Sequence, residues 1–361
     1  MKMQITFEEI SKKTLSGLRL TSQEGLFLFE EADPQAVYEL ADSVRKQKCA
    51  EIVHYATTLF IHPTNLCELS CPLCSFYAKP GWKTAWFLTP AEIEEKIKQY
   101  LHLELTEIHI VGGLWRDCNL DYYHELFDRI RGIDPSLHIK ALTPVEYHFL
   151  SELHTIPINE VFQMMKGWGL GSLPGGGAEI LVEEIRKKIA PQKITSDQFL
   201  EFHGIAHKEG IPSNITMLYG HLEEYGDIIT HLCKVRELQD QTNGFQCFVP
   251  LLYHLENNAL GKRTARIKSK NSKLVFAVSR LMLDNIRNIK VLWNYLGVDL
   301  ALEILQAGGN DLASTATEEK IITMAGGIQL KMTAQEMEQL IHSINRVPQK
   351  IHSGYYQHAT M

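Results

Sequence analysis

Short apolar runs alternate with longer stretches of helical period along most of this chain. The short runs cover residues 57–62, 107–111, 137–143, 169–173, 213–219, 245–251 and 289–293, with a fainter eighth at 309–314. Each has strand length and is bounded by turn residues. Between them lie amphipathic segments with helix punctuation. Thr89-Pro90-Ala91-Glu92 supplies a cap, a proline at the first helical position and a glutamate at the third. Residues 197–209 form a second helical segment, stopped by Gly210, and residues 223–241 a third. The first fifty-odd residues read as helices, with Thr21 and Glu24 at capping-box spacing and Asp33-Pro34 as a cap followed by proline. Strand–helix alternation builds a parallel sheet. Seven or eight units in about 250 residues predict an α/β fold closed as a (β/α)8 TIM-like barrel with N- and C-terminal helical extensions. The expected division is 1–55 for the first extension, 56–315 for the barrel, and 316–361 for a C-terminal helical extension packed on it. An open doubly wound sheet is the alternative, but it would usually carry a glycine fingerprint after the first strand, and none follows it.

The strands carry a second pattern. Polar residues recur at alternate positions: Thr58 and His62, His109, His138 and Lys140, Asn214 and Thr216, and Gln246. The residues between them, Leu59, Ile61, Ile108, Ile110, Ile139, Ala141, Ile215, Met217 and Cys247, are apolar or small. Period two places each set on one face. The outer face of a barrel packs on helices and must be apolar, so the polar set is expected inside, in a functional lumen near the strand C-termini.

Composition narrows the function classes. A chain of 361 residues with 45% hydrophobic and 22% charged positions can bury a full core, which excludes disorder and disulfide-stapled miniatures. Thirty-six basic against 43 acidic residues leave a net charge of −7, unsuited to a general nucleic-acid binder. No apolar run approaches a membrane span, and the opening MKMQITFEEISKKTL lacks the apolar core of a secretory signal, so the expected compartment is the cytoplasm. Of seven cysteines, Cys49, Cys118, Cys233 and Cys247 are scattered, whereas Cys67, Cys71 and Cys74 crowd into eight residues. That is no disulfide framework; it points to a metal centre.

The crowded cysteines follow the first strand directly, spaced C-x3-C-x2-C. Thiolates on a short loop wrap one corner of an iron–sulfur cluster. A cubane has four irons, so three cysteines leave one iron open to a small molecule. Structural zinc needs four closed ligands, and no second Cys/His pair stands at zinc spacing.

This loop, with Phe76 and Tyr77 just behind it, resembles the radical S-adenosylmethionine (radical SAM) superfamily. The residue before the third cysteine, aromatic in the family, is Leu73 here. The resemblance implies a 4Fe–4S cluster held by Cys67, Cys71 and Cys74, with S-adenosylmethionine chelated on the open iron and cleaved to methionine and a 5′-deoxyadenosyl radical. Val111-Gly112-Gly113 is similar to the segment lining the methionine amino group. LGSLPGGGAEI at 170–180, NITMLYGH at 214–221, ELQD at 237–240, GFQCFVPL at 244–251 and SRLMLDN at 279–285 resemble a narrower clan. That clan comprises the menaquinone-pathway futalosine enzymes and the deazaflavin (FO) synthases, and the likeness spans roughly residues 50–330. HIKALTPVE at 138–146, RKKI at 186–189, PL-x-x-H at 250–254 and EEKI at 318–321 followed by Met324-Ala325-Gly326 are similar to the aminofutalosine synthase branch. The other branches generally lack the lysine of the first motif.

That branch consumes S-adenosylmethionine as a cosubstrate. Its implied reaction adds the adenosyl radical to 3-[(1-carboxyvinyl)oxy]benzoate, with rearrangement and decarboxylation, giving 6-amino-6-deoxyfutalosine. The electron would come from a donor such as flavodoxin or ferredoxin. A hydrogen-abstracting clan member and a zinc-binding, non-enzymatic barrel are the alternatives. The resemblance assigns Tyr77 to the adenine, Gly112 and Gly113 to the methionyl amine, and Glu146 to the ribose. Lys140 is the expected cation for the substrate's carboxylate, since a carboxylate in a dry barrel must be paired. His221 is expected to be catalytic with it, and Ser172, Gly176, Glu179, Asn214 and Gln246 are expected in the pocket. Gly176 and Glu179 belong to a glycine-rich loop at 174–179, which is not a P-loop because no Gly-Lys-Ser/Thr follows. Two signals read as structural. His203 and His207 sit four apart on a helix outside the barrel, without the H-E-x-x-H form. The basic run 262–273 reads as a solvated loop.

Overall fold

The computed structural model describes residues 5–264, 270–327, 331–351 and 355. Its strands are β1 (Ile52–Ala56), β2 (Thr58–Ile61), β3 (Glu107–Ile110), β4 (His138–Ala141), β5 (Leu170–Ser172), β6 (Ser213–Tyr219), β7 (Phe245–Leu252), β8 (Asn288–Ile289), β9 (Asp311–Ser314) and β10 (Val347–Lys350). Every ladder is parallel. β2, β3, β4 and β5 are neighbours in that order, and a bridge from Leu173 to Ser213 leads on to β6, β7 and β8. A bridge from Lys290 to Asp311 leads to β9, which pairs with β1, and Leu59 bridges Thr317. β1 and β2 are one extended stretch, so the circuit closes as an eight-stranded barrel.

The outward faces are apolar, as the alternation predicts. Leu59, Ile108, Ile110 and Ile139 are buried among Ile93, Leu126, Phe127 and Ile130 of flanking helices. On the other half, Ile215, Met217 and Phe248 share a core with Phe199, Leu232 and Val275. The caps read from the sequence form: Thr21 with Glu24 and Thr89 with Glu92 each complete a reciprocal capping box, and the structure adds a third, Thr143 with Glu146. The N-terminal helices Ser22–Glu30 and Pro34–Cys49 pack on the helix Ser272–Met282.

The register shifts between β1 and β9, between β4 and β5, and between β6 and β7, and the last shift changes the face expected of a site residue. β6 and β7 pair Ser213 with Phe245 but Asn214 with Cys247, so Gln246 is the extra residue of a β-bulge. Beyond it Phe248 packs outward near His231, while Val249 and Leu251 line the lumen. Cys247 takes the inward place expected of Gln246, within reach of the charges of Lys290 and Asp311. One inserted residue exchanges faces, and the local pattern does not announce it.

The C-terminal segment also differs from a purely helical extension. Besides the helix Ala334–Ser343 it supplies β10, which pairs with β1 from Ile52↔Val347 to Tyr55↔Lys350. The barrel's first strand thus begins at Ile52, ahead of residue 56. VPQK shows no apolar alternation and contains a proline, which an edge strand tolerates. The weak strands β8 and β9 are joined by polar side chains. Arg280 is fully buried and donates to the Gly308 and Arg287 carbonyls and to Asn310 Oδ1, while Asn310 in turn donates to Asn288 at 2.9 Å.

His203 and His207 both contact Ser213 Oγ, at 2.9 and 2.8 Å, and tie their helix to β6. In the basic run, residues 265–269 lie outside the described residues; Lys270 and Lys273 stand 3.5 and 3.3 Å from Glu224 and Glu303. Among the described residues no helix is long and apolar enough to cross a membrane.

Candidate functional site

The segment after β2 carries Cys67, Cys71 and Cys74, and all three line a cavity of about 370 Å³ at that end of the barrel. Its backbone is pinned by one side chain. Lys79 Nζ donates to the carbonyls of Cys67, Glu68 and Leu69 at 2.8, 2.9 and 3.1 Å. The Leu114 N–H points at Cys67 Sγ at 3.4 Å, and the N–H groups of Phe76 and Tyr77 point at Cys74. Burial pushes the Cys71 thiol up to about 11 and raises Cys74 as well, against the pull of Lys193. Three thiols, Cys71 buried and Cys67 and Cys74 half-buried, with N–H groups aimed at two of them and no imidazole or carboxylate among them, suit an iron–sulfur cluster. Three thiols are one ligand short of the four that close a structural zinc site.

Gly112 and Gly113, after β3, also line the cavity. Gly113 donates to the Thr64 carbonyl at 2.9 Å, and a Cβ on it would lie 2.0 Å from the Leu66 carbonyl oxygen. Only glycine lets this turn lie against the cysteine segment. Glu146 fixes the turn from the other side. One carboxylate oxygen accepts from Thr143 in the capping box, and the other accepts from Gly112 N at 2.9 Å. Tyr77 lines the same wall.

The glycine-rich loop extends the wall past β5. Gly175 has φ +77°, and a Cβ there would meet the Asn214 carbonyl at 2.0 Å. Its own carbonyl accepts from Thr216 Oγ1 at 2.9 Å. This close approach turns Gly176 and Glu179 into the cavity, where Glu179 pairs with Lys193 at 2.5 Å. Burial disfavours the Lys193 charge, but Glu179 and Cys71 more than restore it.

Deeper in the lumen lie Glu107, His109, Lys140, Asn214 and Lys290. Lys140 is inward and buried, as expected, but it is already paired: Nζ stands 2.8 Å from Glu107 Oε2, and Thr58 Oγ1 donates to the other oxygen at 2.7 Å. Burial alone would protonate Glu107, yet Lys140 and Lys290 hold its carboxyl well below the usual range. Lys290 pairs with Asp311 at 3.3 Å. Desolvation, with Lys140 beside it, lowers His109 to about 3, so it is neutral.

Three expected pocket residues are not among the cavity's lining. Gln246 sits in the bulge. Ser172 faces His138, its Oγ 2.7 Å from Nε2. His221 is held in the backbone, with Nε2 at 3.0 Å from the Leu218 carbonyl and Nδ1 accepting from Leu222 N at 2.7 Å. Nδ1 also lies 3.0 Å from the buried Glu223 carboxylate, so the protein itself engages both ring nitrogens and holds the ring out of the cavity's lining. Glu107, Lys193, Lys290 and Glu319 were missed. Glu107 shares the phase of His109, and Lys290 interrupts an apolar run; both signals were present in the sequence.

Burial also sets a pH dependence. Glu146 is pushed up to about 7 and so is Glu319, from 4.5. Between those values the folded chain holds protons that the unfolded chain has released, so these groups lower stability as pH rises through that window. Glu146→Gln is expected to flatten the decline in denaturant midpoints measured between about pH 5 and pH 8. A slope equal to that of the parent chain would rule out Glu146 as a source.

Residues 61–232 match the family model described as the radical SAM superfamily, and residues 242–361 match the CofH/MqnC C-terminal region. Aminodeoxyfutalosine synthase of Thermus thermophilus is 34% identical, with 94% of this chain and 92% of the relative covered. The Streptomyces coelicolor protein of the same name is 34% identical over 96% of this chain and 92% of its own. The 5-amino-6-(D-ribitylamino)uracil–L-tyrosine 4-hydroxyphenyl transferase 1 of Methanosarcina barkeri is 33% identical over 95% of this chain and 92% of its own. Among solved structures, methylornithine synthase superposes with a TM-score of 0.73 at 15% identity, over 94% of this chain and 97% of that one, which establishes the fold.

Proposed function

The chain belongs to the radical SAM superfamily, a family of enzymes that use a 4Fe–4S cluster with S-adenosylmethionine, and from that premise we propose that it makes 6-amino-6-deoxyfutalosine. The substrate in this reading is 3-[(1-carboxyvinyl)oxy]benzoate, and S-adenosylmethionine is consumed. When bound, the cluster supplies the electron that cleaves S-adenosylmethionine to methionine and the 5′-deoxyadenosyl radical. Cys67, Cys71 and Cys74 hold it, and Lys79 keeps their backbone in place.

The chain's remaining tasks are to bind, orient and exclude water. Tyr77 lies against the adenine. The carbonyls of Gly112 and Gly113 are the acceptors that a methionyl ammonium needs. Glu146, held by Thr143 and Gly112, has lone pairs left for the ribose hydroxyls. Asn214, Gly176 and Glu179 shape the wall. One observation supports a carboxylate-bearing substrate: the ammonium of Lys140, paired with Glu107, is buried in the same cavity as the three thiols. The choice between the two readings rests on the HIKALTPVE motif at 138–146. The reaction draws its electron from a low-potential carrier such as flavodoxin or ferredoxin, and a reducing cytoplasm is its natural compartment.

The near-equal likeness to the tyrosine-using transferases supplies the second reading. One experiment separates the two. The reconstituted protein is incubated anaerobically with reductant, S-adenosylmethionine and the enolpyruvyl benzoate, and products are followed by mass spectrometry. Adenosyl carbon built into 6-amino-6-deoxyfutalosine is the expected outcome. Product formed only from tyrosine and 5-amino-6-(D-ribitylamino)uracil, with free 5′-deoxyadenosine, would establish the second reading instead.

A further inference from the structure

Two lysines are buried at the deep end of the cavity, and they are committed to different degrees. Lys140 is held at 2.8 Å by Glu107. Lys290, directly after β8, stands farther from its partner, at 3.3 Å from Asp311 Oδ2. Asp311 is itself shared: Ala313 N donates to Oδ1 at 2.6 Å, and the Tyr355 hydroxyl contacts Oδ2. The Tyr355 ring lies 5.6 Å from the Lys290 ammonium. An ammonium carries three N–H donors. Lys140 uses one in the described hydrogen bonds, and both side chains line the cavity while their surroundings are otherwise closed. The lysine donors left over at this end of the cavity call for an acceptor, from a ligand or from water.

We propose that Lys290, together with Lys140, forms a carboxylate-binding floor that takes the benzoate carboxylate of the substrate and leaves its enolpyruvyl carbon toward the thiol end. The assignment rests on the substrate reading above. Its logic is that the substrate's two carboxylates differ in fate. The enolpyruvyl carboxylate is lost, whereas the benzoate carboxylate persists in the product and needs a permanent cation. Glu107 and Asp311 each neutralise one lysine while the floor is empty, so no bare charge waits in the lumen. The ligand then competes with Asp311, the carboxylate with the most other donors.

The test uses the reconstituted enzyme and two probes: the enolpyruvyl benzoate, and the same molecule with the benzoate carboxylate replaced by carboxamide. The parent enzyme is expected to bind the acid more tightly than the amide by about tenfold to a hundredfold, the range for a charge-assisted hydrogen bond. Lys290→Met is expected to remove most of that preference in equilibrium binding and to raise KM for the acid by a similar factor. Its kcat should change less, and its affinity for S-adenosylmethionine should be retained. The double variant Lys290→Met/Asp311→Asn keeps the charge balance and should behave alike if the single variant folds poorly. A Lys290→Met enzyme that keeps the parent's KM and its acid preference would overturn the floor, as would a parent enzyme that binds acid and amide equally. Parent enzyme that turns over only tyrosine would instead overturn the substrate reading, and the floor with it.

Discussion

Alanine at position 113 is expected to strip the protein of most of its iron and to lower activity by at least about 10²-fold, the cost of a misplacement near 1 Å in a reacting site. The added Cβ would sit 2.0 Å from the Leu66 carbonyl oxygen. The opposing atom is backbone, so no side chain can swing aside. The cysteine segment must move, and Cys67 is the next residue. The Leu114 N–H that points at Cys67 Sγ belongs to the residue after Gly113, so the same shift breaks that contact. Overpacking of this kind also costs about 1–3 kcal/mol of stability. Gly132→Ala is the control. It lies in the helix Leu120–Ile133 with nothing within 4 Å of the new methyl, and it should stabilise by up to about 1 kcal/mol. Iron per chain and visible absorption after anaerobic reconstitution decide the matter. A Gly113→Ala protein with the parent's iron content would refute the close-approach argument.

The second large effect is on stability. Glu107→Gln leaves Lys140 buried opposite a neutral amide, and the expected loss is about 3–5 kcal/mol, typical of breaking a buried pair from one side. Lys140→Met should cost less, because Glu107 keeps Thr58 and the nearby charge of Lys290. The pair replaced together, Glu107→Leu with Lys140→Met, should recover much of the loss, since no uncompensated charge remains. Denaturant unfolding of the three variants tests this ordering. A Glu107→Gln cost below about 1 kcal/mol, the range of exposed pairs, would mean that water reaches the floor.

Much of the architecture was legible because its signals are local. Capping boxes at Thr21 and Thr89 act within four residues, and strand alternation acts within two. The same holds for Cys67, Cys71 and Cys74, whose spacing on one loop is a property of the sequence, as is the glycine pair that packs against it. The failures are also physical. β10 carries no apolar face to betray it, because an edge strand against β1 needs only its backbone. Gln246 was assigned inward by phase, and a bulge removed the phase. His221 has the residue type of an acid–base group, but the Leu218 carbonyl, the Leu222 N–H and the Glu223 carboxylate hold its ring away from the cavity.

The sequence by itself determined the barrel, the thiol triplet and the membership that together make this a radical SAM enzyme. It also placed Lys140 inside the lumen. Only the tertiary structure decided what that lysine meets. Glu107 lies 33 residues away along the chain yet 2.8 Å away in space, and Lys290 approaches the same floor from the opposite side of the barrel. Period and spacing are written along the backbone, whereas ion pairing depends on distances across strands that come together only when the sheet closes.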